Sequence, residues 1–141
     1  MPISKAGAYW EGDLKSGRGN MNVASGKFDS DFSAGARFEG KPGTNPEELI
    51  GAAYAGCFSM ALSNMLDQAG HTPKRIQTSA KVHMEKDADG FSITLIELET
   101  QGKVPGISEE AFREHANEAK DNCPVSKALT GVEKQITATL E

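Results

Sequence analysis

Thr44-Asn45-Pro46-Glu47-Glu48-Leu49-Ile50-Gly51-Ala52-Ala53-Tyr54-Ala55-Gly56-Cys57-Phe58-Ser59-Met60-Ala61-Leu62 opens the stretch that decides the fold of this 141-residue chain. Thr44 or Asn45 supplies an N-cap, Pro46 stands in the first turn, and Glu47 and Glu48 put two carboxylates on the positive end of the helix dipole. The apolar run continues to Leu66, and Gly70 is a C-terminal stop. The spacing therefore predicts a helix to about Ala69, roughly 36 Å long. Apolar or small residues occupy nearly every face between Ile50 and Leu62, which predicts a helix surrounded on most sides. Gly51, Ala52, Ala55 and Gly56 would let another backbone approach closely.

The same run needs a membrane check. Leu49 to Leu66 is eighteen residues without a formal charge, the lower bound for a spanning helix. Gly51, Gly56, Ser59, Ser63 and Asn64 interrupt it, and no Lys or Arg flanks it closely to set an orientation. A helix enclosed in a soluble domain is the expectation, with no membrane partner.

Outward from this helix the pattern changes on both sides. Ala6, Ala8 and Trp10 alternate with Gly7, Tyr9 and Glu11, a half-buried strand ending at Gly12-Asp13. Lys15 to Asn20 is turn-rich, a second short strand closes at Ser25-Gly26-Lys27, and Ala36-Arg37-Phe38-Glu39 reads as a brief extended piece. After the helix, Ile76, Thr78, Ala80, Val82 and Met84 alternate with polar residues, Lys86 to Gly90 turns, and Phe91, Ile93 and Leu95 begin a return strand. Ser108 caps a helix to about Asn122, Cys123-Pro124 opens a short helix from Val125 to Leu129, and Ile136, Ala138 and Leu140 alternate as a last strand. This is an α+β order in one domain, residues 1–141, without the regular alternation of a parallel sheet.

Composition narrows the function. Leu, Ile, Val and Phe supply 26 residues while Ala supplies 17 and Gly 15, a thin private core that a second chain would complete. A net charge of −5, a pI near 5.2 and no basic stripe leave no electrostatic footprint for nucleic acid. Met1 to Gly12 lacks the basic and apolar regions of a signal peptide, so a cytoplasmic location is expected. There a disulfide between Cys57 and Cys123 would be transient and redox-active, and two inert thiols are the alternative. His71, His83 and His115 show no metal-ligand spacing, and Asp87-Ala88-Asp89-Gly90 is a hairpin turn, not a calcium loop. No metal or cofactor is expected.

The cysteines carry the chemistry. Cys57 lies mid-helix, where apolar surroundings raise a thiol pKa, and it needs a cation to become reactive. Arg37 can supply one if its segment packs on the helix, with Glu47 or Glu48 fixing the guanidinium; dipole complementation alone also accounts for both acids. Asn122-Cys123-Pro124-Val125-Ser126 puts Cys123 at a helix N-cap, where orphan N–H groups are expected to lower its pKa. One buried thiol and one at a helix start fit a peroxidatic and resolving pair.

Trp10-Glu11-Gly12-Asp13, Arg37-Phe38-Glu39-Gly40, Gly43 to Ala53, Cys57-Phe58-Ser59-Met60-Ala61-Leu62 and Cys123-Pro124-Val125-Ser126 together resemble the OsmC family of thiol peroxidases, related to the organic hydroperoxide resistance (Ohr) proteins. The resemblance covers essentially the whole chain. It implies an intertwined homodimer, with antiparallel strands wrapped around two long central helices and active sites at the subunit interface. It further implies that Cys57 is the peroxidatic and Cys123 the resolving thiol, with Arg37 and Glu47 as the activating pair; Arg18 is the other candidate for the guanidinium. The implied reaction reduces organic hydroperoxides, with hydrogen peroxide as a further candidate substrate, in oxidative or osmotic stress defence. It proceeds through a Cys57 sulfenic acid and a Cys57–Cys123 disulfide, which an external dithiol of lipoyl type reduces. A redox sensor that does not turn over and a structural stress dimer are the alternatives of other classes.

Overall fold

A computed structural model describes residues 1–141, all of the chain. The chain divides into two compact units, Met1–Glu48 and Leu49–Glu141.

The first unit is a meander of three strands, β1 (Ala6–Glu11), β2 (Arg18–Val23) and β3 (Asp29–Phe32), each antiparallel to the next. Two expectations change here. The turn-rich Lys15–Asn20 segment already enters β2 at Arg18, and β1 is exposed at every position except the half-buried Trp10. A larger change follows. Ala36-Arg37-Phe38 is not extended but lies in a short helix, α1 (Ala34–Phe38). Ser33 explains it: its hydroxyl accepts the Ala36 N–H at 3.1 Å, the N-cap bond that competes against continuing β3.

Helix α2 (Pro46–Gln68) begins at the end of this unit and forms the body of the second. Asn45 is the cap, its Oδ1 accepting the Glu48 N–H at 2.8 Å. At the other end the Gly70 N–H reaches the Asp67 carbonyl and the His71 N–H the Leu66 carbonyl. That pair of bonds is a Schellman stop, and Gly70 sits at the positive φ of 90° it requires.

The second unit holds a sheet in the order β4 (Arg75–Asp87), β5 (Gly90–Lys103), β6 (Glu133–Leu140). Strands β4 and β5 form the expected hairpin, with Asp87 paired to Gly90. A bulge skips Thr94, since His83 pairs with Leu95 and Met84 with Ile93. The bulge reverses the inward parity, so Ile96, Leu98 and Thr100 are buried where straight alternation from Phe91 would bury the odd-numbered positions. Strand β6 is parallel to β5, which corrects the all-antiparallel expectation. The connection between them carries α3 (Glu109–Asn122) and α4 (Pro124–Ala128), long enough for a crossover.

The core places Tyr54, Phe58, Leu62 and Leu66, four residues apart along α2, with Ile96, Leu98, Phe112, Ala116 and Ala119. Gly51 lets the helix down onto the sheet, because a Cβ there would stand 3.2 Å from Val82 Cγ2. Ser59 Oγ accepts no less than it gives: it lies 2.8 Å from both the Ala55 carbonyl and Thr78 Oγ1. The helix is not surrounded within its own chain, however. Ala52, Ala53, Gly56, Met60 and Asn64 form an exposed stripe, with Met60 77% exposed. Pro46–Gln68 is long and apolar enough to cross a membrane by length and composition, yet one face of it is spent on a sheet and a second helix.

Candidate functional site

In the first unit α1 and the start of α2 bring Arg37 and Glu47 together. Arg37 Nη2 donates to Glu47 Oε1 at 2.7 Å, and Nε donates to Oε1 and Oε2 at 3.1 and 3.3 Å. Two edges of planar groups thus meet, the geometry that fixes a guanidinium most firmly. Glu47 is buried at 8% exposure, so Arg37 takes the place of water as its hydrogen-bond partner, and Arg37 also stacks 5.3 Å from the Phe38 ring centroid. Glu48 is exposed and makes no part of the pair. Arg18, the other candidate, sits exposed at the start of β2 opposite Glu11.

The same unit builds a cleft of about 470 Å³ walled by Trp10, Leu14, Phe32 and Phe38, with Arg37 on its lining. Strand register explains the aromatic wall. Trp10 and Phe32 are both partners of Gly19 on the central strand, and their rings meet across it at 5.3 Å. A Cβ at Gly19 would stand 2.6 Å from Trp10 Cε3 and 2.7 Å from Phe32 Cε1, so only glycine leaves room. The indole N–H is satisfied by the Gly12 and Asp13 carbonyls.

In the second unit Cys57 and Cys123 come together, 66 residues apart in sequence. Both are free thiols; Cys57 is half-buried and Cys123 fully buried. Cys123 is the N-cap of α4, and its Sγ accepts the Ser126 N–H at 3.4 Å. The expected lowering of its pKa does not follow. Burial pushes the thiol up, and the neighbouring Cys57 adds to the rise, against the smaller opposing effect of the Ser126 N–H. The helix is a single turn, so its dipole is too short to outweigh desolvation.

Tyr54, one turn before Cys57, closes this cluster. Its hydroxyl donates to the Lys120 carbonyl at 2.7 Å, and burial raises its pKa to about 12 from 10. A raised phenol pKa lends stability that is complete below the unfolded value near 10 and is lost as pH climbs toward 12. The urea midpoint should therefore fall steeply between pH 10 and 12, and Tyr54→Phe should flatten that fall. It should also lower stability at pH 7 by about 1 kcal/mol, through the lost hydrogen bond.

Sequence reading missed Tyr54, Ser126 and the cleft. Tyr54 carried a signal, since three residues before Cys57 is one helical face. Ser126 carried one too, at the third position after an N-cap. The approach of Phe32 to Trp10 depends on strand register and had no local signal.

Comparison with known proteins agrees with these motifs. The family described as OsmC-like protein matches residues 38–138. The chain is 50% identical over 131 residues to the protein named Peroxiredoxin OsmC of Escherichia coli, covering 92% of each. It is 32% identical over 117 residues to the organic hydroperoxide resistance protein OhrB of Bacillus subtilis, covering 80% of this chain and 82% of that one. The crystal structure of that OhrB superposes with a TM-score of 0.75 at 28% identity, over 95% of this chain and 97% of the other. A Legionella pneumophila OsmC structure, at 19% identity, superposes with a TM-score of 0.79 over 99% of both chains and shares the fold. This chain belongs to the OsmC-like protein family.

Proposed function

We propose that the chain is a thiol-dependent peroxidase that reduces organic hydroperoxides, in one OsmC-like domain acting as a cytoplasmic homodimer. The observation that carries the reading is the pairing of a half-buried thiol, Cys57, with a neighbouring buried thiol, Cys123. The relatives' names point the same way.

The Cys57 thiolate attacks the distal oxygen of the peroxide. The O–O bond breaks, the sulfur becomes a sulfenic acid, and the alkoxide takes a proton to leave as an alcohol. Arg37, held by Glu47, stabilises the thiolate and the charge developing on the peroxide. Cys123 then attacks the Cys57 sulfur; its proton leaves with the sulfenic hydroxyl as water, and a disulfide forms. The raised pKa keeps Cys123 protonated and spares it direct oxidation, and the proton it loses on attack leaves in the water formed. An external dithiol of lipoyl type restores both thiols by exchange. The exposed Ala52–Gly56–Met60 stripe of α2 supports the dimer, since small residues let a second α2 approach closely.

The test is steady-state turnover with cumene hydroperoxide and dihydrolipoamide. Multiple turnovers per subunit are expected. Disulfide formation without recycling by any dithiol would contradict the enzyme reading.

A further inference from the structure

Ser126 sits in the thiol cluster with one polar atom left over. It is the third residue of α4 and 1% exposed. Its backbone is bound at both ends. The N–H donates to Cys123 Sγ at 3.4 Å, and the carbonyl accepts from Lys134 Nζ at 3.1 Å and from the Leu129 N–H at 3.0 Å. Its hydroxyl, fully enclosed, makes no hydrogen bond of ordinary geometry. A polar side chain at this position usually reaches back to the N–H of the cap residue. Here the Cys123 N–H is already held by the Ala119 carbonyl at 3.3 Å. Tyr54 stands near enough for Ser126 to offset part of the rise in its pKa, but its proton is taken by the Lys120 carbonyl. A buried hydroxyl without a partner weakens the folded state.

The missing partner arrives when the charge on Cys123 changes. A thiol is a weak acceptor, whereas an anionic sulfur draws stronger hydrogen bonds. A serine O–H can turn about its C–O bond without moving the backbone. We propose that Ser126 is the positioning residue for Cys123: its hydroxyl turns onto the sulfur as that thiol loses its proton, joins the Ser126 N–H there, and steadies the thiolate for its attack on Cys57. That Cys57 meets this attack as a sulfenic acid rests on the function proposed above; the placement of Ser126 at Cys123 does not. In that step the Cys123 sulfur bonds to the Cys57 sulfur and the S–O bond breaks. Its electron pair goes to oxygen, which takes the proton lost by Cys123 and leaves as water. Ser126 is neither consumed nor oxidised. The titratable groups facing Cys123 are Cys57 and Tyr54 from α2. Asp121 of α3 acts on Tyr54, and Lys134 of β6 holds the Ser126 carbonyl.

The experiment uses the full reduced chain and needs no peroxide. Its probe is dithiobis-nitrobenzoate, a disulfide that releases one coloured thiolate each time it is attacked. The half-buried Cys57 attacks the reagent and keeps half of it as a mixed disulfide, releasing the first thiolate. Cys123 then attacks the Cys57 sulfur and releases the second, at a rate independent of reagent concentration. Ser126→Ala should leave the first release within about twofold and slow the second by about tenfold, the loss of one hydrogen bond to a charged group. The acid limb of the second release should move to higher pH, because the thiolate has lost a donor. Ser126→Thr keeps the hydroxyl and should restore the rate to within about threefold. The urea midpoint of Ser126→Ala should not fall, since an unpaired hydroxyl is what it removes. A second release within twofold of native with an unmoved acid limb overturns the proposal. So does a lowered midpoint in Ser126→Ala, which would mean that the hydroxyl serves the fold. If both releases behave as expected but the native chain consumes no hydroperoxide, the peroxidase reading falls while the hold of Ser126 on Cys123 stands.

Discussion

Cys57→Ser is expected to abolish hydroperoxide consumption, lowering kcat/KM by about a thousandfold or more. The reason is that no other thiol can take over. Cys123 is fully buried, and its pKa is raised by that burial and by Cys57. It is therefore neither accessible nor ionised at neutral pH. Serine is nearly isosteric, so the core around Phe58 and Leu62 should stay intact and the loss should be chemical. Cys123→Ser is the informative contrast. It should still consume one equivalent of peroxide at close to the native rate and then stop at the Cys57 sulfenic acid, which dimedone traps. Excess peroxide should carry that species on to the sulfinic acid. Equal loss in both variants at the first turnover would mean that the roles are wrongly divided.

Arg37→Met should lower kcat/KM by about a hundredfold, the usual cost of removing one preorganised donor from a charge-developing site. The loss has two sources: the thiolate and peroxide lose their stabilising cation, and the buried Glu47 carboxylate is left unpaired. Arg37→Lys should recover little of the activity. An ammonium is a point charge, whereas Glu47 is held by Nε and Nη2 of one planar fork. Glu47→Gln separates the two sources. It keeps the guanidinium but loosens its hold, so Glu47 acts as a positioning residue, and its removal should cost about tenfold. The urea midpoint measured beside the rate distinguishes this from structural damage, because a loosened guanidinium lowers kcat without unfolding the chain. A Lys variant within twofold of native in kcat/KM would contradict the assignment.

The elements that were legible in the sequence are those whose ends carry local chemistry. Asn45 with Pro46, Ser108, Cys123 with Pro124, and Gly70 marked helix boundaries that the structure keeps to within a residue or two. Arg37 was misplaced because Ala36-Arg37-Phe38-Glu39 has no strong local preference, and the decision fell to a single Ser33 hydroxyl. The parity of β5 beyond Leu95 was not legible for a different reason. The bulge at Thr94 is set by pairing with β4 and leaves no mark on the strand's own alternation. The parallel placement of β6 belongs to the same class, since its hydrophobic period is identical in either direction. At the site, the thiols and the ion pair could be named from motifs. The ionisation of Cys123 could not, because it turns on how much desolvation outweighs one N–H at 3.4 Å. That balance exists only once Tyr54, Cys57 and α4 have packed around the sulfur.

Intact mass with a free-thiol count tests most directly whether the two thiols react as a pair. The fully reduced chain is treated with one equivalent of cumene hydroperoxide and quenched. Both thiols should disappear together with a mass fall of about 2 Da, and Cys57→Ser should show neither change. Two surviving thiols at unchanged mass, or a rise of about 16 Da on Cys57 that Cys123 never resolves, would contradict it.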